Sequence, residues 1–309
     1  MKYNRISAKD ALKATSPFIA VRSLVYLVSI LIMAVAAVIG LLLISTGISI
    51  VAWIGVFIFI GSIVAVKWIE RYILYMIKAG QIFAITQYIK TGQAPVTEKG
   101  YKGVLAFGTE KVKDNFGATN VAFVADRLIA GAVRQIMRFV NKAGDLLSFI
   151  PGVEVIMNIV SLILGIALSY IDEAVLSYIF MHKDEENVWK NACDAIVYYG
   201  QSWKGILKGA SKVAITILLA RIGIVGVAFF VGLGIGGGVG AVAGLIIGYI
   251  VMFAINKMLL DPFATIVMIN DYYAAIEGQE LKADMYGTFA KASSKFKELF
   301  GKSKEEVAA

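Results

Sequence analysis

Residues 24–66 read LVYLVSILIMAVAAVIGLLLISTGISIVAWIGVFIFIGSIVAV, an apolar block that contains no charged side chain. A second block of comparable length covers residues 213–260. Because an α-helix rises about 1.5 Å per residue, roughly 20 residues cross the ~30 Å hydrocarbon core of a bilayer. Each block is long enough to cross twice, and each is interrupted near its middle, at Ser45-Thr46-Gly47 and at the glycines 236–238. The sequence therefore predicts two transmembrane helical hairpins.

The composition of the chain is that of a membrane protein. Hydrophobic residues make up 59% of its 309 residues, and the mean hydropathy is +0.76. The net charge of +8 is typical of a chain whose basic cytoplasmic segments lie near anionic lipid, so we expect no nucleic-acid partner. The single cysteine, Cys193, cannot form an intrachain disulfide. We find no HExxH, GxSxG or P-loop pattern, and we predict a protein without enzymatic activity, cofactor or bound metal.

Six crossings give the most consistent topology. The two hairpins supply four of them, and the segments 121–150 and 152–170 supply two more. With six crossings, all soluble segments fall on one side, and these segments carry Lys and Arg whereas the outer connections carry none. Because basic residues are retained in the cytoplasm, we predict a multi-pass membrane protein with both termini cytoplasmic. The predicted crossings are 24–44, 48–66, 121–150, 152–170, 213–235 and 239–260.

The two hairpins belong to two similar segments of the chain. The spacing Ser-x-Lys-x-x-Leu-Lys-x-x-Ser occurs at residues 7–16 and again at 202–211, each time before a hairpin. An aromatic amphipathic stretch follows each hairpin and ends in a Gly-Gln step, at Gly92 and at Gly278. The pattern predicts a parallel repeat, a plan used by transporters, although chance similarity between two basic interfacial helices would give the same spacing. The predicted units are repeat A at 1–93, a cytoplasmic loop at 94–120, an Arg-striped helical hairpin at 121–171, repeat B at 172–280 and a Lys-rich cytoplasmic tail at 281–309.

A row of basic side chains lies along the predicted helix over 121–150. Arg127, Arg134 and Arg138 recur at helical spacing and share one face. Because a charge at the centre of a bilayer costs about 2.5–3.5 kcal/mol or more, this face cannot be turned to lipid. The helix either crosses with its basic face toward water or protein, forming a cationic cavity, or lies on the cytoplasmic surface as an electrostatic anchor. We prefer the crossing, in which Arg127, Arg134, Arg138 and Arg221 are candidates for binding an anionic solute or lipid headgroup.

Glycines recur every fourth residue in the second hairpin, which places them on one strip of the helix. A bare strip of this kind permits close packing within the hairpin or against another subunit, and we predict a homo-oligomer. The other interpretation is a bare-backbone wall along a narrow permeation path. The glycines are Gly232, Gly236, Gly240, Gly244 and Gly248.

Two ionisable groups lie near the cytoplasmic end of the second hairpin. Arg221 is one or two turns into the apolar block, where its side chain can extend to the cytoplasmic surface or face a cavity. Asp261 precedes Pro262, and Asp at an N-cap followed by proline is a start signal for a new helix. We therefore predict that Asp261 caps the helix that follows the last crossing.

Part of the C-terminal half resembles the choline transporter-like family. The similarity lies in residues 194–226, which begin Asp-Ala-Ile-Val-Tyr-Tyr-Gly-Gln-Ser-Trp, and in the spacing of Asp261, Asp271, Gly278 and Met285. The resemblance implies a transporter. Members of that family have more crossings and a cysteine-bearing outer loop, which this sequence lacks, so no functional residue is carried over. The basic stripe also disfavours a path for a cation such as choline.

These observations predict an all-α polytopic membrane helical bundle of about six transmembrane helices with amphipathic interfacial helices. The first functional hypothesis is a transporter or permease-like protein for a small polar or anionic solute or a lipid headgroup. The second is a non-catalytic oligomeric scaffold that binds and organises the inner leaflet. In both cases the expected partners are the lipid bilayer and its anionic lipids, and the first adds a small-molecule solute.

Overall fold

A computed structural model describes residues 3–93, 95, 100–117, 119–142, 165 and 170–305, and all regular secondary structure among them is helical. Most of the predicted crossing 152–170, and the side chains from residue 137 to 150, lie outside the described residues. The helices are α1 Ala8–Ala14, α2 Ser16–Ile44, α3 Ser49–Ile69, α4 Tyr75–Thr91, α5 Tyr101–Phe116, α6 Thr119–Lys142, α7 Ile171–Met181, α8 Val188–Ile255, α9 Asp261–Ile276, α10 Ala283–Ala292 and α11 Ser294–Glu305.

Helices α2 and α3 form the first hairpin. The α2 helix ends where the hydroxyls of Ser45 and Thr46 donate hydrogen bonds to the carbonyls of Leu42 and Leu43, and Gly47 then adopts a left-handed φ of 70°. The two helices touch at Gly40 and Gly55, because a methyl group added to Gly55 would lie 3.2 Å from the Gly40 Cα. Backbone therefore packs directly on backbone in this hairpin.

The second hairpin lies within α8. Its backbone is non-helical at Gly236 and Gly237, and Gly237 has a φ of 56°. The chain reverses there, since a methyl group added to Gly244 would lie 3.3 Å from the Gly232 Cα, which a straight helix would hold far away. Residues 221–235 and 238–255 thus form two arms that lie side by side, and the earlier part of α8 belongs to the bundle.

Three described helical segments are long and apolar enough to cross a membrane, namely Ser16–Ile44, Ser49–Thr91 and Lys208–Ile276. A fourth results if the bent pair Tyr101–Phe116 and Val121–Ile136 forms one span. Both hairpins expose large apolar side chains all round, as expected for surfaces that face lipid. The prediction of an all-helical protein with several helices that could span a membrane is therefore confirmed for the described residues, whereas the six crossings and the amphipathic interfacial helices are not confirmed.

The remaining helices pack into a bundle at the base of the hairpins. Its core is continuous from α1 and α4 through α6 and α7 to α9 and α11. The segment before α1 is held by the side chain of Asn4, which donates to the Ile89 carbonyl at 3.0 Å, and by Asn270, which donates to the Ile6 carbonyl at 3.1 Å. At the other end of the chain, Phe296 of α11 is fully buried. Both ends of the described chain therefore belong to the same bundle.

A five-residue π-helical turn connects each hairpin to the bundle. The turns are Glu70–Leu74, before α4, and Asn256–Leu260, before α9. Shortly after each of these helices the chain passes through a left-handed glycine, Gly92 with a φ of 74° and Gly278 with a φ of 73°. The helices before the hairpins differ, since Thr15 separates α1 from α2 whereas residues 202–211 lie inside α8.

Candidate functional site

A polar cavity of about 510 Å³ lies where the two hairpins meet the bundle. Both π turns line it, together with parts of α2, α4 and the first arm of the second hairpin. π-helical turns are frequent at functional sites because the extra residue redirects side chains. Here Arg71 comes from the first turn, and Asn256 and Lys257 come from the second.

Basic side chains dominate the lining of this cavity. Six of the lining residues are Lys or Arg, and two are acidic, Glu173 and Asp261. An excess of one charge in a cleft with low-dielectric walls concentrates ions of the opposite sign. The cavity is therefore suited to an anion. Its basic residues are Arg22, Lys67, Arg71, Lys78, Arg221 and Lys257.

Asp261 is the centre of a buried hydrogen-bond network. Its Oδ1 accepts from the Tyr170 hydroxyl at 2.7 Å and from the Asn256 amide at 2.9 Å. Its Oδ2 accepts from Arg22 at 3.2 Å and from the Lys257 ammonium at 3.0 Å. The network links α2, in the first hairpin, to the π turn after the second hairpin.

The predicted capping role of Asp261 is wrong. Its backbone is helical, with φ −60° and ψ −50°, because the helix continues from α8 through the π turn into α9 without a break. A helix that does not start at Asp261 leaves no free amide for its side chain to cap. The carboxylate instead neutralises cations in the cavity.

Arg221 also lies in the cavity. Its Nε and Nη2 donate to the Asn256 Oδ1 at 3.1 Å and 2.7 Å. This acceptor is a neutral amide, so the bidentate contact orients the guanidinium without cancelling its charge. Arg221 is therefore a positioned cation that can receive an anion.

Lys78 and Glu173 form a second pair at the cavity wall. The Lys78 ammonium lies 2.9 Å from Glu173 Oε1 and 3.6 Å from Asp172 Oδ2. Glu173 is buried, and its Oε2 has no hydrogen-bond partner among the residues that the structure describes. Burial, assisted by the charge of Asp172, raises the pKa of Glu173 to about 8 even though Lys78 opposes the shift.

Arg71 and Lys67 have exposed side chains at the edge of the cavity, and neither forms a salt bridge with an acidic side chain that the structure describes. Arg71 also lines a neighbouring groove of about 350 Å³. The other residues of this groove, which we call the interfacial groove, are Trp68, Tyr72, Phe123, Val124 and Arg127.

No protein-family model, curated protein or solved structure matches this chain. The function of the cavity must therefore be inferred from its shape and charge. Within the described part of the chain, no group of three or more His, Cys, Asp or Glu side chains could hold a metal ion.

The arginines predicted to share one cavity lie in different places. Arg221 lines the polar cavity, and Arg127 lines the interfacial groove. Arg134 is exposed on α6, whose opposite face is buried, and the side chain of Arg138 lies outside the described residues. The α6 helix also joins the C-terminal helices, because Gln135 Oε1 accepts from the Ser293 hydroxyl at 2.7 Å.

The predicted glycine strip faces the opposite arm of the same hairpin at four of its five positions, while a methyl group on Gly236 would meet nothing within 4 Å. Sequence reasoning missed the equivalent contact between Gly40 and Gly55 in the first hairpin. The available signal was the presence of glycine in both arms, Gly40 before the turn and Gly55 and Gly61 after it. The four facing glycines are Gly232, Gly240, Gly244 and Gly248.

Sequence reasoning also missed most of the polar cavity. In the sequence, Arg22 and Arg71 are indistinguishable from the other basic residues of the segments predicted to be cytoplasmic. Their position in the sequence was informative, because each lies at the predicted cytoplasmic end of a crossing, as Arg221 does. Side chains at the same end of neighbouring crossings can meet, and these three line one cavity. The partners of Asp261 could not be found this way, because Arg22 is 239 residues away in sequence.

Proposed function

We propose that the protein crosses the membrane four times, through α2, α3 and the two arms of the second hairpin. The observation that supports this topology is that both ends of the described chain pack in one bundle. An even number of crossings is required when both ends lie on the same side. The bundle carries the basic segments, so this side is the cytoplasm.

In this topology α6 lies on the cytoplasmic surface. Its contact with α10 and α11 supports this position, because those helices belong to the Lys-rich tail. Its exposed face then carries Arg127 and Arg134 near the headgroups, where a basic side chain is worth about 1 kcal/mol of attraction to anionic lipid.

We further propose that the protein is permease-like and takes an anionic solute or lipid headgroup into the polar cavity. The single observation that carries this proposal is the cluster of six basic side chains between the two hairpins, of which Arg221 is held by a neutral partner. Arg71 and Lys257 come from the two π turns, so both halves of the proposed repeat contribute. Parallel-repeat transporters bind their substrates between the halves.

The proposal contains no catalytic step. A permease is compatible with the resemblance of part of the C-terminal half to the choline transporter-like family. Choline is not the expected substrate, because a cavity with six basic and two acidic side chains repels a quaternary ammonium.

The test is anion-dependent stability of the purified protein in detergent. Thermal unfolding is measured with inorganic phosphate, glycerol phosphate or dihexanoyl-phosphatidylglycerol, and with chloride at equal ionic strength. We expect at least one phosphate compound to raise the melting temperature above the chloride value. The double variant Arg71→Gln, Arg221→Gln should lose this increase, while the control Lys297→Gln, on an exposed site of α11, should keep it. If no phosphate compound differs from chloride, the proposal is wrong.

A second candidate function is an oligomeric scaffold of the inner leaflet. It is favoured by the exposed basic face of α6 beside Trp68, which is 71% exposed at the end of α3. Proteoliposome flux of the anion that stabilises the protein separates the two functions. Flux that Arg71→Gln, Arg221→Gln abolishes supports the permease. Binding without flux, in a protein that elutes as a defined oligomer, supports the scaffold.

A further inference from the structure

The polar cavity and the interfacial groove are neighbours that share one lining side chain. Arg71 lines both, because the first π turn places it between Lys67 on α3 and Tyr75 on α4. On the cavity side its neighbours are charged. On the groove side they are apolar or aromatic, apart from Arg127 at the opposite wall.

The interfacial groove is a built structure. The ring of Phe123 packs on Tyr75 with centroids 4.6 Å apart and on Tyr72 with centroids 6.0 Å apart. The Tyr75 hydroxyl donates to the Ala122 carbonyl at 3.3 Å. These contacts fix the start of α6 against α4, so the groove has defined walls.

We propose that a single anionic phospholipid binds across these two sites, with its phosphate and headgroup at Arg71 and in the polar cavity and an acyl chain in the interfacial groove. This inference rests on the proposed function and names its ligand. A phosphodiester accepts charge-assisted hydrogen bonds from a guanidinium, and Arg127 supplies a second one from across the groove.

The apolar half of the site is the reason to choose a lipid over a soluble anion. Trp68, Tyr72 and Val124 expose 71%, 48% and 46% of their surface, and they adjoin the lipid-facing side of α3. A soluble phosphate ester would use only the polar cavity and leave these side chains uncovered. A phospholipid covers them and satisfies Arg71 together.

The position of Trp68 permits a direct test by fluorescence quenching. The variant Trp53→Phe, Trp189→Phe, Trp203→Phe retains Trp68 as its one tryptophan. In detergent micelles it is titrated with phosphatidylglycerol or phosphatidylcholine carrying dibrominated acyl chains, which quench tryptophan on contact. We expect half-maximal quenching at about a tenfold lower concentration of phosphatidylglycerol, because phosphatidylcholine adds to the same phosphodiester a quaternary ammonium, which the charge of Arg71 repels by roughly 1 kcal/mol at contact distance.

Three single variants test whether Arg71 and Arg127 cause the preference for phosphatidylglycerol over phosphatidylcholine. Arg71→Gln should remove it and Arg127→Gln should reduce it, whereas Lys297→Gln should leave it unchanged. Added glycerol phosphate should displace the brominated lipid only at a much higher concentration than the lipid itself, because it competes for the polar cavity but leaves the interfacial groove uncovered. Because all three positions are exposed, these variants should fold, which the melting temperature verifies.

Equal quenching by the two lipids, or a preference that survives Arg71→Gln, would overturn the inference. If the two lipids quench equally while glycerol phosphate stabilises the wild-type protein and not the Arg71→Gln variant, the cavity binds a soluble anion and only the choice of a lipid is wrong. If neither phosphatidylglycerol nor glycerol phosphate binds, the proposed function fails as well.

Discussion

The replacement Asp261→Asn tests how the two hairpins are joined. Asparagine has nearly the same shape, and its one amide oxygen can still accept from Tyr170 and Asn256. The amide nitrogen then faces Arg22 and Lys257, and no hydrogen bond can form there because all three groups are donors only. The change therefore removes the negative charge and the acceptor for both cations.

The magnitude follows from the burial of the pair. The side chains of Arg22 and Asp261 are 8% and 10% exposed, so Arg22 cannot reach bulk water when its partner is lost. Removing one partner of a buried ion pair destabilises a protein by about 3–5 kcal/mol. Lys257 is 35% exposed and can turn toward solvent, so it adds little. We therefore expect a loss near the lower end of this range.

The assay is equilibrium unfolding in mixed detergent micelles, arranged as a double-mutant cycle with Arg22→Met. The double variant should recover much of the stability lost in Asp261→Asn, because no unpaired buried charge remains. The control Asp284→Asn, exposed on α10, should remain within about 0.5 kcal/mol of the wild type. A wild-type stability for Asp261→Asn, or strictly additive effects of the two changes, would refute the assignment of this network.

Three further outcomes are expected. Gly240→Ala should destabilise the second hairpin by about 1–3 kcal/mol in the same unfolding assay, because its methyl group would collide with the Gly232 carbonyl. The control Gly234→Ala places its methyl group in open space and should be neutral or slightly stabilising. Glu173, with its pKa raised to about 8 from 4.5, holds a proton more tightly when folded, so the free energy of unfolding should fall as pH rises from about 5 to about 8 and then level off. Glu173→Gln should abolish that dependence in thermal melts, and a persisting slope would assign it to another group. In a Cys193→Ala background, Arg134→Cys should react with a soluble maleimide applied to the cytoplasmic face, whereas protection by lipid would show that α6 crosses.

The membrane part of the fold could be predicted from the sequence because its signal is local. An uncharged apolar run that is longer than one bilayer crossing predicts a membrane-spanning segment. The glycines 236–238 mark the point at which the second apolar block reverses direction. The period of the α6 stripe also placed Arg127 and Arg134 on one exposed face. The same period could not tell whether that face meets water, headgroups or protein, because all three accept a basic side chain.

The number of crossings and the site depend on contacts between distant residues. A crossing by residues 121–150 would keep all the basic segments on one side of the membrane. If α6 instead packs on the C-terminal helices, the basic segments also stay on one side, and fewer crossings are needed. Asp261 shows the limit most clearly. Its local signal, Asp-Pro, favours a helix start, and a π turn together with Arg22 overrides that signal.

The glycine contacts have a mechanical consequence. At these glycines the two arms of each hairpin touch through their backbones, with no glycine side chain that could repack, so sliding of one arm along the other would cause a collision there. Any tilting of the hairpins against the helical bundle must then be absorbed at the joints Glu70–Leu74 and Asn256–Leu260. Arg71 and Lys257 lie in those joints, so such a movement would change the spacing of the basic side chains that line the polar cavity.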